Sequence, residues 1–263
     1  MNRVGAGSGE GRSAVRVAVL TGGSRGIGRS AVLRLAARGV DVIFTYRVDA
    51  SAAEAVVQEA SAYDARVTAV KLDVAKTDSL DGFVDRVRSE LATRGLARFD
   101  YLVNNAGIWH TASFAETTVA DLDRLYAVNV RGVFFVTQKL APLIVDGGRI
   151  LNLSSGLTRF VFPQKIAYGA IKGAIEPLTR YLAAEFAPRG ITVNTLAPGA
   201  TATDFSGGVI RDDPDYRDRV ADVTALGRPA DPDDIGRVIV SLLSDDMGWV
   251  NGERIEASGG MKL

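Results

Sequence analysis

The feature that most constrains the fold of this chain is the regular alternation of short β-branched segments with longer segments of helical periodicity. The segments that we predict to be strands are Arg16–Leu20, Val40–Tyr46, Val67–Leu72, Tyr101–Asn104, Arg149–Leu153, Ile191–Leu196 and Arg254–Glu256. The predicted helices are one that follows the first strand and ends at Ala37, then Ala50–Tyr63, Ser79–Arg94, Val119–Leu143, Ala167–Ala187 and Ile235–Leu243. This alternation predicts an α/β fold: a doubly wound parallel sheet with helices on both faces and right-handed crossovers.

A single domain accounts for this pattern. The chain has 263 residues, which is within the range of one α/β domain, and neither an internal repeat nor a linker divides it. Residues 1–14 are rich in Gly, Ser and Arg and have no apolar core, so we expect a disordered arm rather than a secretory signal. Residues 15–263 are predicted to form the domain. The longest irregular stretch, Thr201 to Arg228, is expected to be functional.

Composition excludes several classes of function. Lys plus Arg and Asp plus Glu are equal at 31 each, so no net charge attracts nucleic acid or an anionic membrane. The chain has no cysteine and one histidine, which argues against disulfides, thiolate catalysis and a metal site. No apolar run is long enough to span a bilayer. We therefore expect a cytoplasmic protein without metal, nucleic-acid or membrane partners.

A glycine-rich turn joins the first predicted strand to the first predicted helix. Between Thr21 and Gly28 it reads TGGSRGIG. Glycines at such a turn let the backbone approach a pyrophosphate, which the positive N-terminal end of the helix then holds. A glycine-rich turn alone is weak evidence, but this one lies between a strand and a helix, which is the context that the motif requires. The sequence thus indicates a Rossmann-type dinucleotide-binding domain.

The spacing T-G-x-x-x-G-x-G, together with further motifs in a fixed order, resembles the short-chain dehydrogenase/reductase family. The further motifs are Asp73-Val74, Asn104-Asn105-Ala106-Gly107, Asn129, Ser155, Tyr168 with Lys172, Pro198-Gly199 and Thr203. Any one of them could arise by chance, whereas the ordered set is specific. The resemblance extends from about Val15 to the C-terminus and implies a single-domain Rossmann fold, a nicotinamide cofactor and a carbonyl or alcohol substrate.

The resemblance also implies which residues bind the cofactor. Asp73 and Val74 hold the adenine, although a strand-end cap is the alternative role for Asp73. Asn105 lies along the adenosine ribose, and Asn104 mainly ties the central strands together. The complete expected set is Gly22, Ser24, Arg25, Gly26, Ile27, Gly28, Tyr46, Arg47, Asp73, Val74, Asn105, Ala106, Gly107, Tyr168, Lys172 and, at the nicotinamide end, Pro198, Gly199, Thr201 and Thr203.

The end of the second predicted strand favours NADP(H) over NAD(H). An acidic residue there would bind the ribose 2′-hydroxyl and repel a 2′-phosphate, but the strand ends at Tyr46-Arg47. Arg47 can pair with the phosphate and stack on adenine, and Arg25 can reach the same phosphate. The alternative is that both arginines are solvated surface residues. Asp49 lies two residues beyond Arg47.

The expected reaction centre consists of Asn129, Ser155, Tyr168 and Lys172. Tyr168 and Lys172 are four residues apart, so they share one face of a helix. By the resemblance, Tyr168 is the proton donor, Ser155 holds the substrate oxygen, and Lys172 lowers the Tyr168 pKa together with the oxidised nicotinamide and grips the nicotinamide ribose. Asn129 holds a water that links Lys172 to solvent. The family spacing selects Ser155 rather than Ser154, which strand alternation turns to the other face.

The substrate side is less constrained. Candidate pocket residues are Trp109, Ser155, Leu157, Arg159, Phe160, Phe162, Gln164 and Phe205. Arg159 either meets an acid or a polar substituent of the substrate or is solvated, and His110 either touches the pocket or is a surface or structural residue. Residues 204–220 are predicted to form a lid with a hinge at Gly207-Gly208.

Three hypotheses about function follow. The pattern is most similar to 3-oxoacyl-carrier-protein reductases, and Arg189 matches one of their docking regions. The stretch Val145-Asp146-Gly147-Gly148 lacks the basic residues of the other region, so a free small ketone or alcohol is the preferred substrate. A non-catalytic NADP(H)-binding regulatory protein is the remaining hypothesis. By the resemblance, the predicted helices Val119–Leu143 and Ala167–Ala187 form a dimer interface, and residues 249–263 complete a homotetramer.

Overall fold

A parallel sheet forms the centre of the protein in a computed structural model, which describes residues 15–263. Its strands are β1 Arg16–Leu20, β2 Val40–Tyr46, β3 Val67–Lys71, β4 Phe99–Asn104, β5 Ile144–Leu153, β6 Thr192–Pro198 and β7 Arg254–Ala257. They lie in the order β3-β2-β1-β4-β5-β6-β7, and every neighbouring pair is parallel. The predicted fold class is confirmed. The predicted disordered arm lies outside the described residues.

Helices cover both faces of the sheet. The helices of residues 15–263 are α1 Gly26–Ala36, α2 Ala50–Ala60, α3 Leu80–Ala92, α4 Val119–Tyr126, α5 Val133–Leu140, α6 Ile166–Gly173, α7 Ile175–Phe186, α8 Val209–Asp212, α9 Pro214–Asp222 and α10 Pro232–Leu242. One core lies between the sheet and α1, α2 and α10, and the other between the sheet and α3, α5 and α7. Because both faces are covered, residues 17–20 of β1 are fully buried.

Two predicted helices are interrupted in the structure. The segment predicted as one helix from Val119 to Leu143 contains a π-helical turn, Ala127–Gly132, between α4 and α5. The segment predicted as Ala167–Ala187 is divided into α6 and α7 at Ala174. Pro177 explains the second interruption, because it has no amide hydrogen to donate to Gly173. Local bending at Pro177 was expected, whereas the periodicity of apolar residues does not reveal the π-turn.

The segment from Thr201 to Arg228 was predicted to be irregular, and this prediction is wrong. It contains α8, α9 and a 3₁₀ turn, Phe205–Gly208. Asp213 caps α9 by accepting a hydrogen bond from the Tyr216 amide, and Pro214 occupies the first turn. Many charged residues mask the short apolar periodicity of α9, whose buried side chain is Val220.

Candidate active site

Four strands bring the candidate residues to one edge of the sheet. The chain leaves the carboxyl ends of β1, β4, β5 and β6 into the glycine-rich turn, the Asn105–Gly107 segment, the Ser155 turn and the Pro198–Thr203 segment. Strand β1 pairs with both β2 and β4, so the direction of winding reverses beside it. In open α/β sheets, ligands bind in the crevice at such a switch point.

The glycine turn after β1 adopts a conformation that side chains would block. Gly22 and Gly26 have φ angles of +73° and +53°, and a Cβ on Gly28 would lie 2.0 Å from the Gly22 carbonyl oxygen. A Cβ on Gly23 would overlap the Phe44 ring. The turn therefore packs closely enough for its backbone to contact a ligand.

The N-terminus of α1 follows directly. The residue before the helix, Arg25, is extended and makes no capping hydrogen bond with its side chain, and the first turn has no acidic residue. Ser24 and Ile27 are half-buried beside it. The first backbone amides of the helix have no intrahelical acceptor, so this end of α1 is suited to an anionic phosphate.

Two asparagines after β4 have different partners. Asn104 donates to Asn152 Oδ1 (2.8 Å) on β5 and to Thr137 Oγ1 (2.9 Å), so it ties the central strands together as predicted. Asn105 donates from Nδ2 to the carbonyls of Thr21 (3.0 Å) and Gly22 (2.9 Å). Asn105 thus holds the glycine turn against the end of β4, where a Cβ on Gly22 would lie 3.0 Å from Ala106 Cα.

The remaining predicted cofactor residues line the same edge. Asp73 accepts a hydrogen bond from the Ala75 amide (3.1 Å), which is the strand-end cap that we considered. Val74 is buried against Gly132 of the π-turn. Pro198 ends β6, and a Cβ on Gly199 would lie 2.7 Å from Ser258 Cα. Thr201 and Thr203 are buried, and the Thr203 methyl lies against Gly26.

The charged residues near β2 are arranged asymmetrically. Arg47 is exposed just beyond Tyr46. Asp49 caps α2, accepting hydrogen bonds from the Ala52 amide (2.9 Å) and the Ser51 hydroxyl (2.8 Å), and these bonds lower its pKa. Arg25 pairs with Asp204 (2.9 Å) across the crevice. Asp49, the acidic residue that follows the end of β2, is therefore bound to the N-terminus of α2, while Arg47 remains exposed to solvent.

Tyr168 lies in the centre of the site and is buried. Burial raises its pKa, and a hydrogen bond with Ser155 opposes this shift. The sequence led us to expect a lowered pKa for Tyr168, but that expectation assumed, besides Lys172, the positive charge of an oxidised nicotinamide bound beside the phenol. In the protein alone, desolvation of the phenolate dominates, so Tyr168 remains a protonated hydrogen-bond donor near neutral pH.

Lys172 is buried beneath the site. Its ammonium donates to the Leu153 carbonyl (2.6 Å), and burial lowers its pKa to about 8. A Cβ on Gly107 would lie 3.8 Å from Lys172 Nζ and 2.9 Å from Asn129 Oδ1. Because Gly107 has no side chain, the Lys172 ammonium and the Asn129 side chain can both lie next to it.

Asn129 lies in the π-turn and is fully buried. Its Nδ2 donates to the carbonyls of Ile108 (3.1 Å) and Leu125 (3.0 Å), and its Oδ1 accepts from the Ile108 amide (3.2 Å). In a regular α-helix the backbone amide of residue 129 would donate to Leu125. The π-turn replaces that bond with a side-chain bond, and π-turns of this kind are frequent at functional sites.

Two aromatic rings, those of Trp109 and Phe205, lie beside the phenol of Tyr168. The Trp109 ring lies 4.7 Å from the Tyr168 ring, and Phe205 lies 6.1 Å from Trp109 and 6.2 Å from Tyr168. Leu157 packs against the same cluster. Phe160 and Phe162 instead form an edge-to-face pair in a neighbouring cluster with Val220 and Met261.

Arg159 does not point towards the aromatic cluster. It forms a two-pronged ion pair with Glu256 (2.7 and 2.6 Å) and donates to the carbonyls of Met261 and Lys262. Glu256 also accepts from Arg254, and this network holds the pKa of Glu256 at about 2, mainly through Arg159. Both alternatives that we considered for Arg159, substrate contact and simple solvation, overlooked this pairing.

The network continues to the Ser155 turn. Arg254 donates to Glu176 Oε1 (2.7 Å) and to Thr158 Oγ1 (3.1 Å), and Thr158 donates to the Ser155 carbonyl (2.8 Å). The sequence analysis did not single out these residues. Alternating charges at positions 254 and 256 were the one available signal, since residues two apart on a strand share a face.

The other candidates lie near the cluster without joining it. His110 Nε2 lies 3.5 Å from Asp121 at the start of α4. Gln164 has a φ of +62°, and its carbonyl accepts from the Ala112 amide. Within residues 15–263, no three or more His, Asp or Glu side chains are grouped so as to hold a metal ion. No helix in that range is long and apolar enough to cross a membrane.

Comparison with known proteins identifies the family. A family model described as enoyl-(acyl carrier protein) reductase matches residues 22–262. An uncharacterized oxidoreductase of Methylorubrum extorquens is 37% identical over 247 residues, which cover 94% of this chain and 98% of that relative. The chain belongs to the short-chain dehydrogenase/reductase family. The resemblance inferred from the ordered motifs is confirmed.

Two further comparisons describe other members of this family of oxidoreductases. The 3-oxoacyl-[acyl-carrier-protein] reductase of Staphylococcus epidermidis is 34% identical over 94% of this chain and 98% of its own length. The angucycline C-6 ketoreductase LanV, solved with bound NADP, superposes with a TM-score of 0.88 at 35% identity and covers 94% of this chain and 95% of its own. The short-chain dehydrogenase/reductase described here thus has relatives that reduce carbonyl groups.

Proposed function

We propose that this protein interconverts a ketone or aldehyde and the corresponding alcohol with NADP(H), and that its substrate is a free small molecule. The observation that carries the proposal is the contact between the Tyr168 hydroxyl and Ser155, with the Lys172 ammonium buried beneath the same edge of the sheet. A phenol, a hydroxyl and a buried cation are the groups that bind and protonate a carbonyl oxygen.

Each side chain has a distinct role in this proposal. A reduced nicotinamide, when bound, supplies a hydride to the carbonyl carbon. Tyr168 donates its proton to the carbonyl oxygen, and Ser155 donates a hydrogen bond that positions that oxygen. Lys172, protonated at neutral pH, stabilises the phenolate that remains. Asn129 holds the backbone of Ile108, the residue before Trp109, through hydrogen bonds to its amide and carbonyl. The second lone pair of Asn129 Oδ1 is left to accept a hydrogen bond from the expected water.

The cofactor preference rests on the residues beyond β2. Asp49 is held by α2, and Arg47 is exposed just beyond the end of β2, so we assign Arg47 as the contact for a 2′-phosphate. Arg25 is the second proposed contact, and it exchanges its pairing with Asp204 for the phosphate. A guanidinium pairs well with phosphate, and the relative LanV was solved with NADP. These features support NADP(H) over NAD(H).

The preference for a free substrate rests on Arg189. This arginine matches a docking region of carrier-protein reductases, but its Nε donates to Asp146 (2.9 Å) and its Nη atoms donate to the carbonyls of Ala141 and Ile144. Its charge is therefore used within the chain and partly neutralised. An acidic carrier protein gains little attraction from an arginine that already has an acidic partner.

A spectroscopic assay tests the proposed function. NADPH oxidation is followed with a panel of free ketones and aldehydes and with a 3-oxoacyl thioester on a carrier protein. We expect turnover of free carbonyl compounds and a much lower kcat/KM for the carrier-bound thioester. NADPH binding without turnover of any compound would contradict the proposal and support the non-catalytic, regulatory alternative.

We also propose that the protein is a homotetramer or a homodimer. Apolar side chains are exposed along α4, α5 and α7: Leu122, Tyr126, Phe134 and Tyr181. Trp249 is fully exposed near the C-terminal segment. Large exposed aromatics of this kind are typical of interfaces. Sedimentation velocity measures the assembly, and a monomer at micromolar concentration would contradict the proposal.

A further inference from the structure

Lys165 lies three residues before Tyr168, at the start of α6, and its ammonium stacks on Trp109. Lys165 Nζ is 4.4 Å from the centroid of the indole ring. The centroid of the same ring is 4.7 Å from that of Tyr168. The indole therefore contacts both a cation and the proposed proton donor, so a ligand at the phenol comes within reach of Lys165.

Thr111 fixes this cation and the indole together. Its Oγ1 accepts hydrogen bonds from Trp109 Nε1 (2.7 Å) and from Lys165 Nζ (2.9 Å). A hydroxyl that accepts twice still has its own proton to donate, and an ammonium with one hydrogen bond has two further N–H donors. The Lys165 and Thr111 side chains thus offer several uncommitted donors on one side of the indole.

The Lys165 ammonium is not neutralised by the part of the chain that the structure describes. Burial lowers its pKa, and no carboxylate between residues 15 and 263 forms an ion pair with it. A partly desolvated cation without an acidic partner among these residues is available to pair with an anionic ligand. The residue before it, Gln164, has a φ of +62°. Left-handed backbone at a residue other than glycine is costly, and such residues cluster at functional sites.

We propose that Lys165 and Thr111 bind the carboxylate of an aromatic keto acid whose ring lies against Trp109 and Phe205. This inference rests on the proposed function and specifies its substrate class. The two aromatic side chains are inclined at 63° with centroids 6.1 Å apart, and an aromatic ring of a substrate packs favourably edge-to-face or offset against such rings. A largely apolar pocket with a few polar groups at one side is typical of small-molecule sites.

The experiment compares matched neutral and anionic substrates. The kcat/KM values with NADPH are measured for 3- and 4-acetylbenzoate and for their methyl esters, in the natural protein and in Lys165→Gln. We expect the natural protein to prefer the better of the two acids over its ester. In Lys165→Gln, we expect kcat/KM for that acid to fall about 10- to 100-fold, the range for loss of a charge-assisted hydrogen bond, while kcat/KM for the ester is unchanged.

Lys262→Gln is the matched control, because Lys262 also stacks on an aromatic ring, 3.9 Å from the centroid of Phe162, but lies at the C-terminus. We expect it to leave the ratio of acid to ester unchanged. Equal kcat/KM for acid and ester in the natural protein, or a preference that survives Lys165→Gln, would overturn this inference while the proposed function stands. An equal loss for acid and ester in Lys165→Gln would assign the lysine a structural role and would also overturn it.

Binding is measured separately from turnover. The chain has two tryptophans, so Trp249→Phe leaves Trp109 as the fluorescent reporter, and quenching by the acetylbenzoates gives their Kd in the presence of NADP⁺. We expect a lower Kd for the acid than for its ester, with the difference abolished by Lys165→Gln. Binding of the acid without reduction of any ketone would contradict the proposed function, and the same Kd for acid and ester would overturn the inference.

Discussion

Replacing Lys172 by methionine is expected to make the cofactor-free protein more stable and the enzyme less active. Lys172 is buried with a pKa of about 8 instead of 10.5, so burial of the charged form costs on the order of 3 kcal/mol at neutral pH. Methionine removes that cost but leaves the Leu153 carbonyl without its donor, which costs about 1–3 kcal/mol. The net stabilisation is therefore at most about 2 kcal/mol, or up to roughly 8 °C in Tm for a chain of this size.

The stabilisation by Lys172→Met depends on pH in a defined direction. Between pH 8 and pH 10.5, the unfolded chain retains the lysine proton and the folded protein releases it. Stability rises with pH wherever the unfolded state binds more protons. The natural protein therefore gains stability across this window, and the advantage of the methionine variant shrinks. Differential scanning calorimetry without cofactor at pH 7 and pH 9.5 measures the effect.

The same substitution is expected to impair function. The affinity for NADPH should fall, because the proposed charged donor to the nicotinamide ribose is lost, and the pH at which alcohol oxidation begins should rise, because in the proposed mechanism the phenolate loses a stabilising cation. Lys139→Met is the control, since Lys139 is exposed and paired with Asp81 on the surface. A Lys172→Met variant that is less stable than the natural protein by the same amount at both pH values would refute the reasoning about the buried charge. Unchanged NADPH affinity and an unchanged pH profile would refute the functional role.

Two further predictions concern the cofactor and the charged network. Arg47→Asp should raise the KM for NADPH about 10- to 100-fold, the effect of losing a charge-assisted phosphate contact, and should improve use of NADH. An unchanged ratio of kcat/KM for the two cofactors would contradict this role. Glu256→Gln should lower Tm at pH 7, because the Arg159 pairing holds the Glu256 pKa at about 2, below its usual 4.5. That stabilisation is present above pH 4.5 and is lost as pH falls towards 2. A difference in Tm between the natural protein and Glu256→Gln that is the same at pH 3 and at pH 7 would argue against this explanation.

The parallel sheet and the approximate positions of its strands could be predicted from the sequence, although β5 begins five residues before its predicted start. Strands buried on both faces give continuous β-branched runs, as at 16–20 and 40–46, and these predicted bounds coincide with β1 and β2. Helix interruptions were harder to predict. Pro177 has a direct steric and hydrogen-bonding effect, whereas the π-turn around Asn129 depends on a side-chain bond to Leu125 that apolar periodicity does not reveal.

The residues of the candidate site could be selected from ordered motifs, but their partners could not. Arg159 was a candidate for substrate contact until the fold placed Glu256 beside it, nearly a hundred residues away along the chain. Burial of Tyr168 and Lys172 likewise depends on packing, so the directions of their pKa shifts follow only from the three-dimensional structure. The environment of Lys165 likewise follows only from the structure, because the sequence does not show that no carboxylate among residues 15–263 pairs with its ammonium.

The Tyr168→Phe variant tests the central claim most directly, because it deletes the proposed proton donor and retains the ring that packs against Trp109. The measurement is kcat/KM for NADPH-dependent reduction of a ketone that the natural protein accepts, with the Kd of NADPH determined by fluorescence titration. We expect kcat/KM to fall by about two to four orders of magnitude, the usual contribution of a general acid, with the Kd for NADPH and the Tm little changed. Reduction of the ketone at a near-normal rate by Tyr168→Phe would contradict the assigned chemistry.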